Sequence, residues 1–301
     1  MSKRIRWSKS LTFLWDWFHK YLNMTNGNIK EAMTLMYQTI QTSDYDIDEK
    51  IRHSQNLRLL ACDLDNRLLH FYFNEQILFE YLKDMELKNF DDIRAVIKEH
   101  GVLFNGRMFL KDGSFTTTTI PEIGFSIDLP HKKNGYAFLL HITNDDKIEI
   151  TCSYDYNKCA TIHEYHYLSY LKEKDTKPNI EEVMQLFRLA INTVFYAEHY
   201  PELIIDGAPK QLENTEYNGT AFQVETCQIF KEVEERKKQG YIVKPHMRSG
   251  YWKFLRSEFY TEEKRGTSIH IGPTMVKGNS ATVLTHKKIK DREELTEEKD
   301  E

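Results

Sequence analysis

The chain has 301 residues, enough for one large or two ordinary domains, and a hydrophobic share of 40% supplies a real core. Aromatic residues reach 13%, so wide packed layers with polar tips are expected. The formal net charge of -5 excludes a generic polyanion binder.

Charge is unevenly spread. Lys3, Arg4, Arg6 and Lys9 open the chain around Trp7, a basic aromatic stretch that can touch nucleic acid or a ribosomal surface, or stay a solvated end anchored by one indole. Helical spacing follows at Leu11, Leu14, Trp15, Phe18 and Leu22. Asn26-Gly27 breaks that helix, and Ala32, Leu35, Met36 and Ile40 mark the next. Leu57 to Leu60 and Leu68 to Leu82 continue the helical pattern. Asp91 or Asp92 is placed to cap a helix through Lys98, with Gly101 at its stop.

After Gly101 the period changes. Val102–Phe104, Met108–Leu110, Ile123–Ile127, Tyr136–Ile142 and Lys147–Cys152 read as short strands, with Asn144-Asp145-Asp146 as the turn of a hairpin. Pro178 opens a helix with an apolar stripe of Val183, Phe187, Ala190, Ile191 and Val194, and Pro201 ends it. Residues 206–220 read as a loop, Gln228 to Gly240 as a charged surface helix, and Ile242–Leu255 and Ser268–Val276 as two closing strands. The expected fold is α+β: a helical N-terminal region (1–101), then an antiparallel sheet with one or two packed helices (102–278), then a charged, solvated tail (279–301).

The four cysteines, Cys62, Cys152, Cys159 and Cys227, form no C-x-x-C pair. The apolar stretch from Ser10 to Phe18 is too short for a membrane span and lacks a cleavage site, so a cytosolic, reduced protein with no membrane partner is expected. Cys152, Cys159, His163 and His166 have ligand types that suit zinc, but their spacing matches no common finger. The structural alternative puts Cys152 at the end of a buried strand and the histidines in a polar aromatic loop. No metal and no cofactor is the expectation. A nucleophile elbow, a Walker loop, a dinucleotide glycine motif and an H-E-x-x-H helix are all absent, which points away from common enzyme classes.

The densest chemistry lies at residues 244–254. On a single strand His246, Arg248, Gly250, Trp252 and Phe254 would share one face, with Tyr251 and Lys253 on the other. This is either a binding surface formed by His246, Arg248, Tyr251, Trp252 and Lys253, or a core strand. With His270 on the partner strand, His246 and Arg248 could also serve as acid, base and phosphate clamp for RNA cleavage, and Tyr251 or Trp252 could stack a base.

The run Lys244-Pro245-His246-Met247-Arg248-Ser249-Gly250-Tyr251-Trp252, followed by Ile269-His270-Ile271-Gly272-Pro273-Thr274-Met275-Val276, resembles the C-terminal signature of a phage and mobile-element family. That family includes an anti-CRISPR protein acting against a type V-A nuclease. Ile120–Ile127 is similar to the family's proline-led strand and Phe195–Glu202 to its helix end; Tyr251 and Ser249 stand where the family carries histidine and arginine. The resemblance implies an anti-defence protein in the cytoplasm of a bacterial host. Such a protein recognises a host polypeptide, including a nascent chain on the ribosome, and lowers expression of its target through loss of the transcript. The alternative is an RNA-binding or RNA-cleaving effector built on His246, Arg248 and His270.

Overall fold

The computed structural model describes residues 11–65, 67–100, 102–109, 115–129, 135–154, 158–172, 178–209, 220–238, 247–248, 251–255, 261, 268–271, 274–277 and 280–281. The basic start, His246 and most of the acidic tail lie outside them.

Three helices open the fold: α1 (Thr12–Met24), α2 (Ile29–Thr42) and α3 (Ile47–Leu64). Leu11, Leu14, Trp15 and Phe18 bury the predicted stripe of α1. Asn26 and Gly27 both take positive φ at the break, where glycine is conformationally favoured. The side chains of Asn28 and Asp46 accept the backbone N–H of Glu31 and Glu49, capping α2 and α3.

Strand β1 (Leu68–Phe73) comes next, where the sequence reading continued a helix. It lies in the middle of the sheet, parallel to both β3 (Phe115–Asp128) and β8 (Thr220–Val224). A strand covered on both faces reads as an unbroken apolar run and shows no period of two. After α4 (Gln76–Asp84), α5 (Phe90–His100) begins one residue before Asp91, so Asp91 and Asp92 occupy its first turn instead of capping it. There they complement the helix dipole.

The remaining strands of the main sheet are β2 (Val102–Phe109), β4 (Tyr136–Ile142), β5 (Ile148–Tyr154), β6 (Lys158–His163) and β7 (Ile204–Asp206). The order is β6-β5-β4-β3-β1-β8-β7, with β2 antiparallel to the first half of β3. The sheet is therefore mixed, not antiparallel, and the two pieces expected within 102–110 are one strand. The β4–β5 hairpin turns where Asn144-Asp145-Asp146 predicted, with Asp146 at φ 58. Strand β6 and the short helix α6 (Glu164–Tyr170) replace the expected polar loop around His163 and His166. Helix α7 (Pro178–His199) and α8 (Gln228–Lys238) fall where the sequence placed them.

The sheet is the middle of three layers. Helices α1–α3 cover one face, burying Leu57, Leu60 and Cys62 with Leu68, Ala137 and Leu139. Gly124 permits this approach, since a Cβ there would lie 2.8 Å from Cys62 Sγ. The other face carries the larger core: Phe71, Phe125, Phe138, Leu140, Ile150 and Ile162 pack on α4–α8. That core draws on residues from both sides of Gly101, so the helical first hundred residues belong to the same sheet and core as the rest.

Candidate functional site

The signature segment divides into two ladders. Strand β9 (Met247–Arg248) pairs with β12 (Thr274–Lys277), which also pairs with β13 (Ser280–Ala281). Strand β10 (Tyr251–Phe254) pairs antiparallel with β11 (Ser268–Ile271), setting Trp252 opposite His270, so the two closing segments are partner strands here as expected. Arg248 and Trp252 thus belong to different strands and different sheets, so these two do not share the single strand face expected for them. His246 lies outside the described residues.

Trp252 is built into the core. It is 4% exposed, and its ring stacks on Phe195 at 5.6 Å and meets His199 at 4.3 Å and His270 at 4.8 Å. Its indole N–H donates to Asn192 Oδ1 at 3.2 Å. Asn192 is itself buried, and its amide donates to the carbonyls of Leu82 and Met85, while Arg188 Nε donates to the Lys83 carbonyl. These are the orphan acceptors at the end of α4. Trp252 therefore locks β10 onto a hub that joins α7 to α4, and of the two readings left open for it, binding surface or core strand, its burial matches the core strand. Lys253, on the opposite side of the strand, is exposed.

His270 shares a 2.8 Å hydrogen bond between Nδ1 and the Tyr200 hydroxyl and packs edge-on against Phe230. Burial, with a smaller contribution from nearby His199, lowers its pKa to about 4. The imidazole is neutral at physiological pH, so it cannot supply the charged acid of a two-histidine cleavage mechanism there.

The four zinc candidates are not gathered. Cys152 pairs across the ladder with Ala160, and Cys159 with Ser153, so the two sulfurs leave opposite faces of the sheet. Burial raises both thiols, Cys159 to about 12, which disfavours the thiolate a metal needs. His163 lies four residues along β6 from Cys159, roughly 13 Å for an extended chain. His163 instead holds Glu149, and His166 Nδ1 accepts the His163 backbone N–H. Among the described residues no group of three or more His, Cys, Asp or Glu could hold a metal ion.

The sheet face under α1–α3 carries chemistry the sequence reading missed. Adjacent registers align Glu122 of β3, His141 of β4, Glu149 of β5 and His163 of β6 in one cross-strand row. Arg58 and Arg67 pair with Glu122, and Glu149 bridges His141 at 3.1 Å and His163 at 3.0 Å. Burial alone would raise the Glu149 pKa, but the two imidazoles prevail and hold it well below the usual carboxylate range. A row that takes a single member from each of four strands is a faint signal, visible only once the registers are known.

A second array sits deeper. Ser126 Oγ lies 2.9 Å from His70 Nδ1, and His70 Nε2 lies 3.1 Å from Asp63 Oδ1. The order is that of a hydrolytic relay. The three residues are at most 1% exposed, however, and the second oxygen of Asp63 accepts the Trp15 indole at 3.0 Å. Buried to this degree, the array pins α1 and α3 to β1 and β3. Comparison of the chain with protein-family models, curated proteins and solved structures returned no match.

Proposed function

We propose that this is a polypeptide-binding effector of the anti-defence kind. It recognises a host polypeptide, including one still on the ribosome, and lowers expression of that target. The observation that carries the reading is the surface: Tyr165 and Leu168 on one short helix, and Leu171 at its C-cap, stand 56%, 37% and 53% exposed. Large apolar side chains gathered in this way suit a protein partner. The resemblance of the signature segment supplies the biological setting. Lys253, exposed beside the buried Trp252, is the signature residue offered for polar contact. His270, with Nδ1 held by the Tyr200 hydroxyl and Nε2 buried away from solvent, has no ring nitrogen turned to a substrate, which argues against the RNA-cleaving alternative.

The test is co-purification of the tagged chain from host cells, with nuclease treatment, followed by measurement of the target transcript. One identified host protein, or the ribosomes making it, is expected to survive nuclease treatment, and transcript loss is expected to stop when its start codon is removed. Recovery of nucleic acid alone, or transcript loss without translation, would contradict the reading.

A further inference from the structure

The β10–β11 ladder is a two-stranded sheet of its own, paired among the described residues with no strand of the main sheet. Two strands alone are marginally stable in water, so the ladder depends on what its side chains grip. Trp252 reaches Asn192, Phe195 and His199 of α7, and His270 opposite it reaches the Tyr200 hydroxyl just past the helix end. The second grip is chemically incomplete. His270 Nδ1 shares the hydrogen bond with Tyr200, but Nε2 is buried and has no partner. A neutral imidazole carries one N–H, whereas an imidazolium carries two and would bury a charged donor with no acceptor.

The groups around the ring offer no countercharge. His199 and Tyr200 face it from α7 and its end, Phe230 from α8, and Trp252 from β10, with Lys253 exposed on the other side of that strand. Cys227, before α8, stands beside the Tyr196 and Tyr200 hydroxyls. Of the carboxylates on these elements, Glu202 acts on Tyr200, Glu234 on Tyr81 and Glu232 on Gln228, while Glu198 is exposed. The one charged group that acts on the His270 ring is His199, and it opposes a second cation. An indole face attracts a cation, but the Trp252 ring is tilted by 44° and burial prevails.

We infer that His270 makes the β10–β11 ladder an acid-released latch: adding a proton to its ring frees the ladder from α7 while the main sheet stays folded. Release lifts Trp252 off Asn192 and Phe195 and lets the imidazolium reach water, and the freed ladder, two strands alone, frays. The ring titrates at 6.5 when exposed and at about 4 when docked, so docking is fully favoured above pH 6.5 and weakens as pH falls toward 4. Between pH 7.5 and 5 the ratio of open to docked ladder rises about thirtyfold. The main sheet is not drawn along, because Glu149, held low by His141 and His163, keeps its charge through that range. The latch does not depend on the polypeptide-binding reading, and either can fail without the other.

Amide hydrogen exchange of the full chain, corrected for intrinsic rates and read by peptide at pH 7.5, 6 and 5, measures the opening. Exchange within 251–254 and 268–271 is expected to rise at least about tenfold relative to 148–154 from the first pH to the last. His270→Phe keeps a ring but cannot take a proton, and it is expected to lose that rise. Should the variant fail to fold, proton NMR of the His270 ring in the wild-type chain decides, with a titration midpoint below about 5.5 expected. A smaller rise, an equal rise in 148–154, a rise that persists in folded His270→Phe, or a midpoint above that value would each overturn the inference.

Discussion

The two faces of the central sheet differ in how much buried polar pairing they carry. Toward α4–α8 the sheet offers Phe71, Phe125, Phe138, Leu140 and Ile150, and area removed from water holds the layers together. Toward α1–α3 a smaller apolar cluster around Leu68, Ala137 and Leu139 is interleaved with His70, Ser126, Glu122, His141 and Glu149, and paired polar groups add to the hold. A packed apolar face tolerates exchange of one hydrocarbon for another of similar volume. A paired polar face does not tolerate loss of a single partner, because the group left behind is buried and unsatisfied.

The sharpest way to break this contrast is to remove one member from each side. Asp63→Ala strands the Trp15 indole and His70 together, and a loss of about 3 kcal/mol or more is expected in urea unfolding. Replacing Asp63, His70 and Ser126 together by apolar residues of similar volume should recover most of that loss. On the apolar side, Trp252→Ala is expected to cost about 3–5 kcal/mol, since it empties a core site and frees the Asn192 carbonyl. Near-native stability in Trp252→Ala would return the signature to the surface.

The same contrast decides what was legible in the sequence. The stripes of α1 and α7 and the Asn144-Asp145-Asp146 turn were readable because each is written locally, in period or in turn chemistry. Strand β1 was not. Its partners, β3 and β8, are distant in the chain, and Leu68–Phe73, apolar but for His70, is a run that period alone cannot tell from a buried helix. The polar row was hidden for a related reason. Glu122, His141, Glu149 and His163 are single residues on four strands, and only the ladders bring them into line. The signature misled in the opposite direction, because a dense run of His, Arg, Tyr and Trp suggests one surface, and the chain divides it between two ladders.

A smaller effect is expected at Gly124, where α3 rests on the sheet. Gly124→Ala drives a methyl against Cys62 Sγ and Leu139, and a loss of about 1–3 kcal/mol is expected, with Cys62→Ala relieving part of it.

Acid separates the two faces by window. The His270 pKa falls from 6.5 in the unfolded chain to about 4 in the fold, so its contribution is complete above pH 6.5 and is lost as pH drops toward 4. Glu149, depressed from 4.5, keeps its contribution until the pH falls below that value. Melting temperatures should therefore decline between pH 6.5 and 4.5 by the equivalent of about 1–2 kcal/mol, and His270→Gln should flatten that decline while leaving the steeper loss below pH 4.5. The least effect on stability is expected at Lys253→Ala, within about 0.5 kcal/mol, since the side chain is exposed.

The central claim is that this chain works by holding a polypeptide, on a surface separate from the packed signature. The most direct measurement is recovery of one identified host protein from nuclease-treated lysate by the wild-type chain and by the folded Leu168→Ser/Leu171→Ser chain, side by side. The account predicts recovery by the first and at least a tenfold loss in the second. Recovery of nucleic acid alone, together with cleavage of naked RNA by the pure protein that His270→Ala abolishes at unchanged stability, would contradict it.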